Sequence, residues 1–214
     1  MNRLVITTSV LPLILLSFAG AQPIDGYGVK VGGVHGEQSW EYSSQSPFQG
    51  IDADPLWGVD ASLFIQHSIN TTFGIQAELR YVQRGRSITS MATEEADNPQ
   101  GYADIGLVET HLRFHYLSVP LLFQFRLGSE KVVPYLDLGP RVEYLLSTPD
   151  SPVYGQFAKW EFGGTCAVGV EVSFGSPLHL LAEVSYDTNF THSFTSQAVT
   201  VSNRSFSFLL GACF

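Results

Sequence analysis

The chain predicts an all-β protein, an eight-stranded antiparallel transmembrane up-and-down β-barrel. Three observations carry this. Eight segments alternate apolar and polar side chains with a period of two, as strands with two unlike faces do. The connections alternate strictly between short and long, the pattern of a barrel with tight turns at one end and loops at the other. The last segment, Phe206 to Phe214, is strongly apolar and closes on an aromatic side chain, where chain termini in water usually fray.

Residues 1–21 read as a cleaved secretory signal peptide and residues 22–214 as one barrel domain. Met1 to Arg3 is short and basic, Leu4 to Phe18 is rich in Leu, Ile and Val, and Ala19-Gly20-Ala21 supplies a small-x-small cleavage site. The apolar run is shorter than the roughly 20 residues a helix needs to cross a bilayer. The residue after the cleavage site is Gln22 rather than Cys, which argues against a lipid anchor. The chain is therefore expected to be exported and to enter a membrane as strands, and the even strand count puts both termini on the periplasmic side.

The strands follow in order. Tyr27, Val29 and Val31 alternate with Gly28, Lys30 and Gly32. Val59 to Ile65 alternates with Asp60 to Gln66, and Phe73 to Tyr81 with Gly74 to Arg80. The fourth begins with Leu112, Phe114 and Tyr116 on its apolar face, opposite His111, Arg113 and His115. It then changes phase to Leu117, Val119, Leu121, Phe123 and Phe125, which predicts a β-bulge at Tyr116-Leu117. The fifth sets Pro134, Leu136, Leu138, Val142, Tyr144 and Leu146 against Asp137, Gly139, Arg141 and Glu143. The sixth sets Trp160 to Phe174 against Glu161 to Ser173, the seventh Leu178 to Tyr186 against His179 to Asp187, and the C-terminal segment is the eighth. Turns are expected near Ser68–Thr71, Gly128–Lys131 and Gly175–Pro177. Long polar loops are expected over Gln38–Leu56, Arg84–Asp104, Ser147–Ala158 and Asn189–Ser202.

The apolar faces are too bulky to fill a small interior at protein packing density, so they are expected to meet lipid. The polar faces supply the lumen: Lys30, Asp60, Glu78, Arg80, Arg113, Asp137, Arg141, Glu143, Glu161, Glu171, Glu183 and Asp187, interspersed with glycines such as Gly28, Gly32 and Gly139. Aromatics mark two interfacial girdles, Tyr27, Phe73, Phe125, Phe174 and Phe214 at the turn end and Trp57, Tyr81, Tyr144, Trp160 and Tyr186 at the loop end. In hydrocarbon no backbone group can fall back on water, so the first and last strands must pair.

Several segments resemble a known family. Tyr27-Gly28-Val29-Lys30-Val31-Gly32 is similar to its GvKgG opening and Tyr116 to Leu122 to its YLEIPLL strand. Pro134-Tyr135-Leu136-Asp137-Leu138-Gly139-Pro140 is similar to its PYl-aGP strand, and Gly163 to Glu171 to its GaGvE segment. Asn203-Arg204 before the last strand is also typical. The set resembles the PorT-like outer-membrane β-barrel, porin-type, family of Bacteroidetes-like bacteria. Ser118 departs from it, standing where the family usually has an inward Glu. The resemblance implies a bacterial outer-membrane barrel and no particular chemistry.

The formal charge of −9, from 20 acidic and 11 basic residues, leaves no basic face for nucleic acid. Eight strands enclose an interior that side chains just fill, so a narrow polar lumen with a structural or limited small-solute and ion passage role is expected. The acid excess would make any leak cation-preferring. The alternative is a partner-binding barrel of a secretion or surface assembly, working through its loops. A lipid-modifying enzyme could use His192, Ser193 and Asp187, but adjacent side chains in an extended segment point apart, and no enzyme activity is expected. His111 and His115 share one face without a third ligand, so no metal is expected, nor any cofactor. Cys166 and Cys213 fall on opposite faces and read as small filler residues. The expected partners are outer-membrane lipid, the barrel-assembly machinery through Phe206, Phe208, Leu210 and Phe214, and an unidentified surface or periplasmic protein.

Overall fold

The computed structural model describes residues 25–42, 53–92, 106–128, 131–149, 157–174, 177–195 and 199–214. The expected signal peptide lies outside these residues, as do Glu94, Glu95 and Asp97 of the longest loop. The described strands are β1 (Gly26–Tyr42), β2 (Ala53–Ser68), β3 (Phe73–Ala92), β4 (Gly106–Arg126), β5 (Val132–Ser147), β6 (Trp160–Ser173), β7 (His179–Asn189), β8 (Phe194–Thr195) and β9 (Val199–Cys213).

Each long strand pairs antiparallel with its sequence neighbour, β7 pairs with β9, and β1 pairs with β9 to close the cylinder. The closing seam runs from Gly28 opposite Cys213 to Tyr42 opposite Val199. Eight strands therefore form the barrel. The two-residue β8 lies outside that count and pairs only with the far end of β9, Phe194 opposite Val201.

The period-two pattern sorts side chains across the wall. Val31, Leu63, Leu138, Val168 and Leu210 stand 58%, 59%, 59%, 55% and 68% exposed on the outer surface, while Lys30, Arg80 and Asp137 are buried inside. Aromatic pairs tie neighbouring strands at both rims. Tyr27 meets Phe214 at 6.0 Å and Phe73 meets Phe125 at 5.3 Å at the turn end; Tyr144 meets Trp160 at 4.8 Å and Tyr186 meets Phe206 at 4.7 Å at the loop end.

Some inward positions lie so close to the neighbouring strand that they tolerate no side chain. A Cβ on Gly32 would lie 1.8 Å from the Phe208 carbonyl oxygen, and one on Gly139 would lie 1.9 Å from that of Leu121. Both obstructions are partner-strand backbone, which cannot swing aside. Gly32→Ala, at the closing seam, is expected to cost about 1–3 kcal/mol or more through overpacking. Reversible unfolding of the variant in lipid vesicles checks this against wild type.

The structure corrects the reading of β4. Leu112, Phe114 and Tyr116 point inward and are buried, and the strand keeps one phase through Ser118 to Gln124. An irregularity does occur where the sequence placed one, but it belongs to the partner. His115 faces Ser147 and Tyr116 faces Leu145, so the surplus residue is Leu146 on β5. Three of the four long loops are also shorter than expected, the one after Ser147 excepted. β3 and β4 have 20 and 21 residues, about twice the roughly 9–11 a tilted strand needs to cross a membrane. They stay paired up to Ala92 opposite Gly106. Backbone pairing needs no apolar pattern, so these extensions read as polar loop in the sequence.

Candidate functional site in the barrel interior

The interior is an ion-pair network built from every barrel wall. Arg80 on β3 forks onto Asp60 of β2 through Nε (3.1 Å) and Nη2 (2.5 Å), and donates to Ser185 and Ser207 at 3.2 and 3.3 Å. Arg84, four residues further along β3, grips Glu143 of β5 with two bonds of 2.8 and 2.9 Å and donates through Nε to Ser205 at 3.0 Å. Its guanidinium lies 5.3 Å from the centre of the Tyr116 ring, within cation–π range. Arg141 adds a 2.8 Å contact to Glu143.

Asp187 sits among all three guanidinium groups, 3.4 Å from Arg80, 3.7 Å from Arg84 and 3.4 Å from Arg141. Thr165 donates its hydroxyl hydrogen to the same carboxylate at 2.7 Å. Nearer the turn end Lys30 bridges Glu78 (2.8 Å) and Glu183 (2.5 Å), and the Tyr135 hydroxyl donates to Glu183 at 2.8 Å. Asp137 lies inward between these walls and is fully buried. Glu161 is held by neutral donors, Ser193 at 3.0 Å, Asn203 at 3.1 Å and Asn189. At the turn-end mouth Arg126 and His179 both contact Glu171. Bidentate guanidinium–carboxylate pairs satisfy both planar groups at once, which a dry interior requires.

Apolar clusters cap this network at both ends. Leu112, Phe114, Tyr116, Leu145, Phe157 and Val201 form the outer plug. Phe157 stacks between Phe114 at 5.2 Å and Phe194 at 5.5 Å. Phe64, Tyr135, Leu181 and Cys213 form the inner one.

The structure brings Lys30, Asp60, Glu78, Arg80, Asp137, Arg141, Glu143, Glu161, Glu171, Glu183 and Asp187 into the interior, all of them buried. It does not bring Arg113 there. Arg113 is exposed on the outer surface and donates to Gln83 at 2.9 Å. The reason is the unbroken phase of β4: if Leu112, Phe114 and Tyr116 face in, Arg113 and its neighbours must face out. His111 and His115 are displaced outward with it.

Sequence reasoning missed Arg84 and Arg86, which it placed in a loop. Both are buried inside. The signal was present, because Glu78, Arg80, Val82, Arg84 and Arg86 continue one face at steps of two.

The residues weighed for hydrolysis do not converge. His192 is exposed and meets Ser202 at 3.1 Å, Ser193 is buried on Glu161, and Asp187 belongs to the arginine cluster. Among the described residues no group of three or more potential metal ligands assembles. Cys166 is exposed on the outer face, Cys213 is buried in the inner plug, and neither is in a disulfide.

Residues 26–195 match the family described as outer membrane protein beta-barrel domain. Among solved structures, OprG from Pseudomonas aeruginosa superposes with a TM-score of 0.55 at 12% identity, covering 88% of this chain and 95% of that one. Neisserial surface protein A gives 0.46 at 16% identity over 87% and 95%, and the attachment invasion locus protein Ail of Yersinia pestis gives 0.42 at 16% over 88% and 98%. At such identities the likeness concerns the fold alone. No curated protein matches the chain.

Proposed function

The chain belongs to the outer membrane protein beta-barrel domain family, and on that premise we propose that it is a closed barrel of the bacterial outer membrane, with a structural or surface-presenting role and at most a slight leak of small ions. The observation that carries this reading is the capped ion network. Arg80, Arg84 and Arg141 are each engaged by carboxylates, and apolar side chains close the path above and below them. A solute would have to break paired charges in a medium where unpaired ones are costly. The short turns face the periplasm and the long strand extensions face outward, with both termini of the barrel domain on the periplasmic side after removal of residues 1–21. The likeness to the PorT-like group, carried by the motifs around Tyr27, Tyr116 and Pro134, belongs to the same proposal, as does the absence of enzyme activity.

Planar-bilayer recording tests it. Wild-type protein is expected to give no large, steady conductance. Phe114→Ala combined with Phe157→Ala removes the stacked part of the outer plug and is expected to raise a small cation-preferring leak. Large anion-selective steps from wild type would sink the proposal.

A second reading has its own support. The β3–β4 ribbon extends beyond the length a membrane crossing needs, which is consistent with presenting a surface to a protein partner. Crosslinking from residue 91 in intact cells checks it: one recurring protein adduct supports this reading, and adducts to lipid alone oppose it.

A further inference from the structure

The outer surface of β4 changes character once along its length. Towards the turn end it presents Phe123, Val119 and Leu117; past Leu117 it presents His115, Arg113 and His111. On β3, Tyr81 stands opposite Leu117 and Gln83 opposite His115. The Tyr81 hydroxyl and His115 Nδ1 share a hydrogen bond of 2.6 Å, and Arg113 donates through Nη1 to Gln83 at 2.9 Å. That bond uses one of the five donors a guanidinium carries. Among the described residues Arg113 has no carboxylate partner, unlike Arg80 and Arg84 inside.

The height of this face matters. Tyr81, Tyr144 and Trp160 are outward aromatics at the loop end, where such rings settle at headgroup level. With strands rising about 3.4 Å per residue at a tilt near 40°, His115 and Arg113 lie roughly 5 and 10 Å above Leu117 along the membrane normal. The headgroup layer occupies about 5–7 Å beyond the hydrocarbon, and an arginine stem can lean several ångström towards it. A planar cationic fork in that layer, directly above an apolar strip, matches a ligand with an anionic head and acyl chains.

We propose that Arg113, with His115 and Gln83 beside it and His111 on the same face, binds the phosphate of an anionic outer-leaflet lipid whose chains lie along Leu117 and Val119. A guanidinium fits a phosphate through parallel hydrogen bonds. The apolar strip below distinguishes a lipid from free phosphate. The inference rests on the reading that the loop end faces outward, and that reading is checked separately by protease access to residues 88–92 in intact cells.

The test uses the full barrel in detergent micelles, titrated with bisphosphorylated lipid A and followed by native mass spectrometry. Wild type is expected to retain the lipid. Arg113→Ala is expected to retain it about tenfold less tightly, as loss of a charge-assisted contact implies. Arg113→Lys should recover part of the loss, and His115→Gln should show a smaller one. Arg113→Gln serves in place of the Ala variant if that variant does not show the folded gel mobility. Equal retention by wild type and the Arg113 variant overturns the proposal. So does equal retention of dephosphorylated lipid A, which would mean that the chains alone bind. Displacement of the lipid by millimolar inorganic phosphate also overturns it, because the site would then be a general anion site.

Discussion

Arg80→Ala is expected to destabilise the barrel by about 3–5 kcal/mol, the usual effect of removing one partner from a buried ion pair. The guanidinium is the bidentate partner of Asp60 and one of three cations around Asp187. Without it Asp60 keeps its charge-burial cost and loses its compensating contact, while Ser185 and Ser207 lose a donor. Arg84 and Arg141 still face Asp187, so the damage concentrates on Asp60. The companion Asp60→Asn in the Arg80→Ala background should therefore recover a large part of the loss, because a neutral amide no longer requires a cation. Reversible urea unfolding from lipid vesicles measures both. A deficit under about 1 kcal/mol for the single variant would mean that the interior is wet enough to solvate Asp60, and the argument for a sealed core would fail.

Val168→Arg is the second large expected effect. Val168 projects from β6 between Leu136 and Val184 on the neighbouring strands, 55% exposed and about midway between the outer and turn-end aromatics. An arginine facing lipid at that depth costs about 2–4 kcal/mol. Ser202→Arg, an outward change on β9 beyond the native Arg204, is expected to cost about 0–1 kcal/mol because the penalty falls towards the interface. Thr165→Arg is a poor control despite its polar face. Its side chain is buried on Asp187 with no room for a longer one, so an arginine there is expected to cost stability through overpacking. Equal costs for Val168→Arg and Ser202→Arg would show that Val168 does not face hydrocarbon.

How much of this could be read from the amino acids depends on depth in the membrane. Between the girdles the two solvents differ on the two sides of the wall, so the sequence must alternate, and Lys30, Asp60, Glu78 or Val168 can be assigned a face directly. Above the outer girdle that constraint lapses. There apolar side chains enter the interior, with Leu112, Phe114 and Phe157 packed together and Arg86 buried opposite Leu112, and the exterior turns polar, with Arg113 and His111 exposed. On β4 the pattern inverts, with apolar side chains inward and polar ones outward. A rule that sends apolar residues outward must fail there, and it failed at Leu112, Phe114 and Tyr116. The apparent phase slip at Tyr116-Leu117 is the membrane boundary seen in one dimension. Arg84 and Arg86 were lost for a related reason, since their strand runs on where outward apolar partners stop. The two-residue β8 is too short to leave any periodic trace.

The β1–β9 seam sets how the protein can come into being. Its paired residues are separated by roughly 160 to 185 positions in sequence, among the most distant contacts a chain of this length can make, and such contacts form late and slowly. Until Gly28 meets Cys213, two raw borders of unpaired amides face a medium that cannot hydrate them. A half-built sheet has no resting place in the bilayer. Assembly is therefore all-or-none, and a chain deprived of either border strand should be degraded rather than inserted in a weakened form.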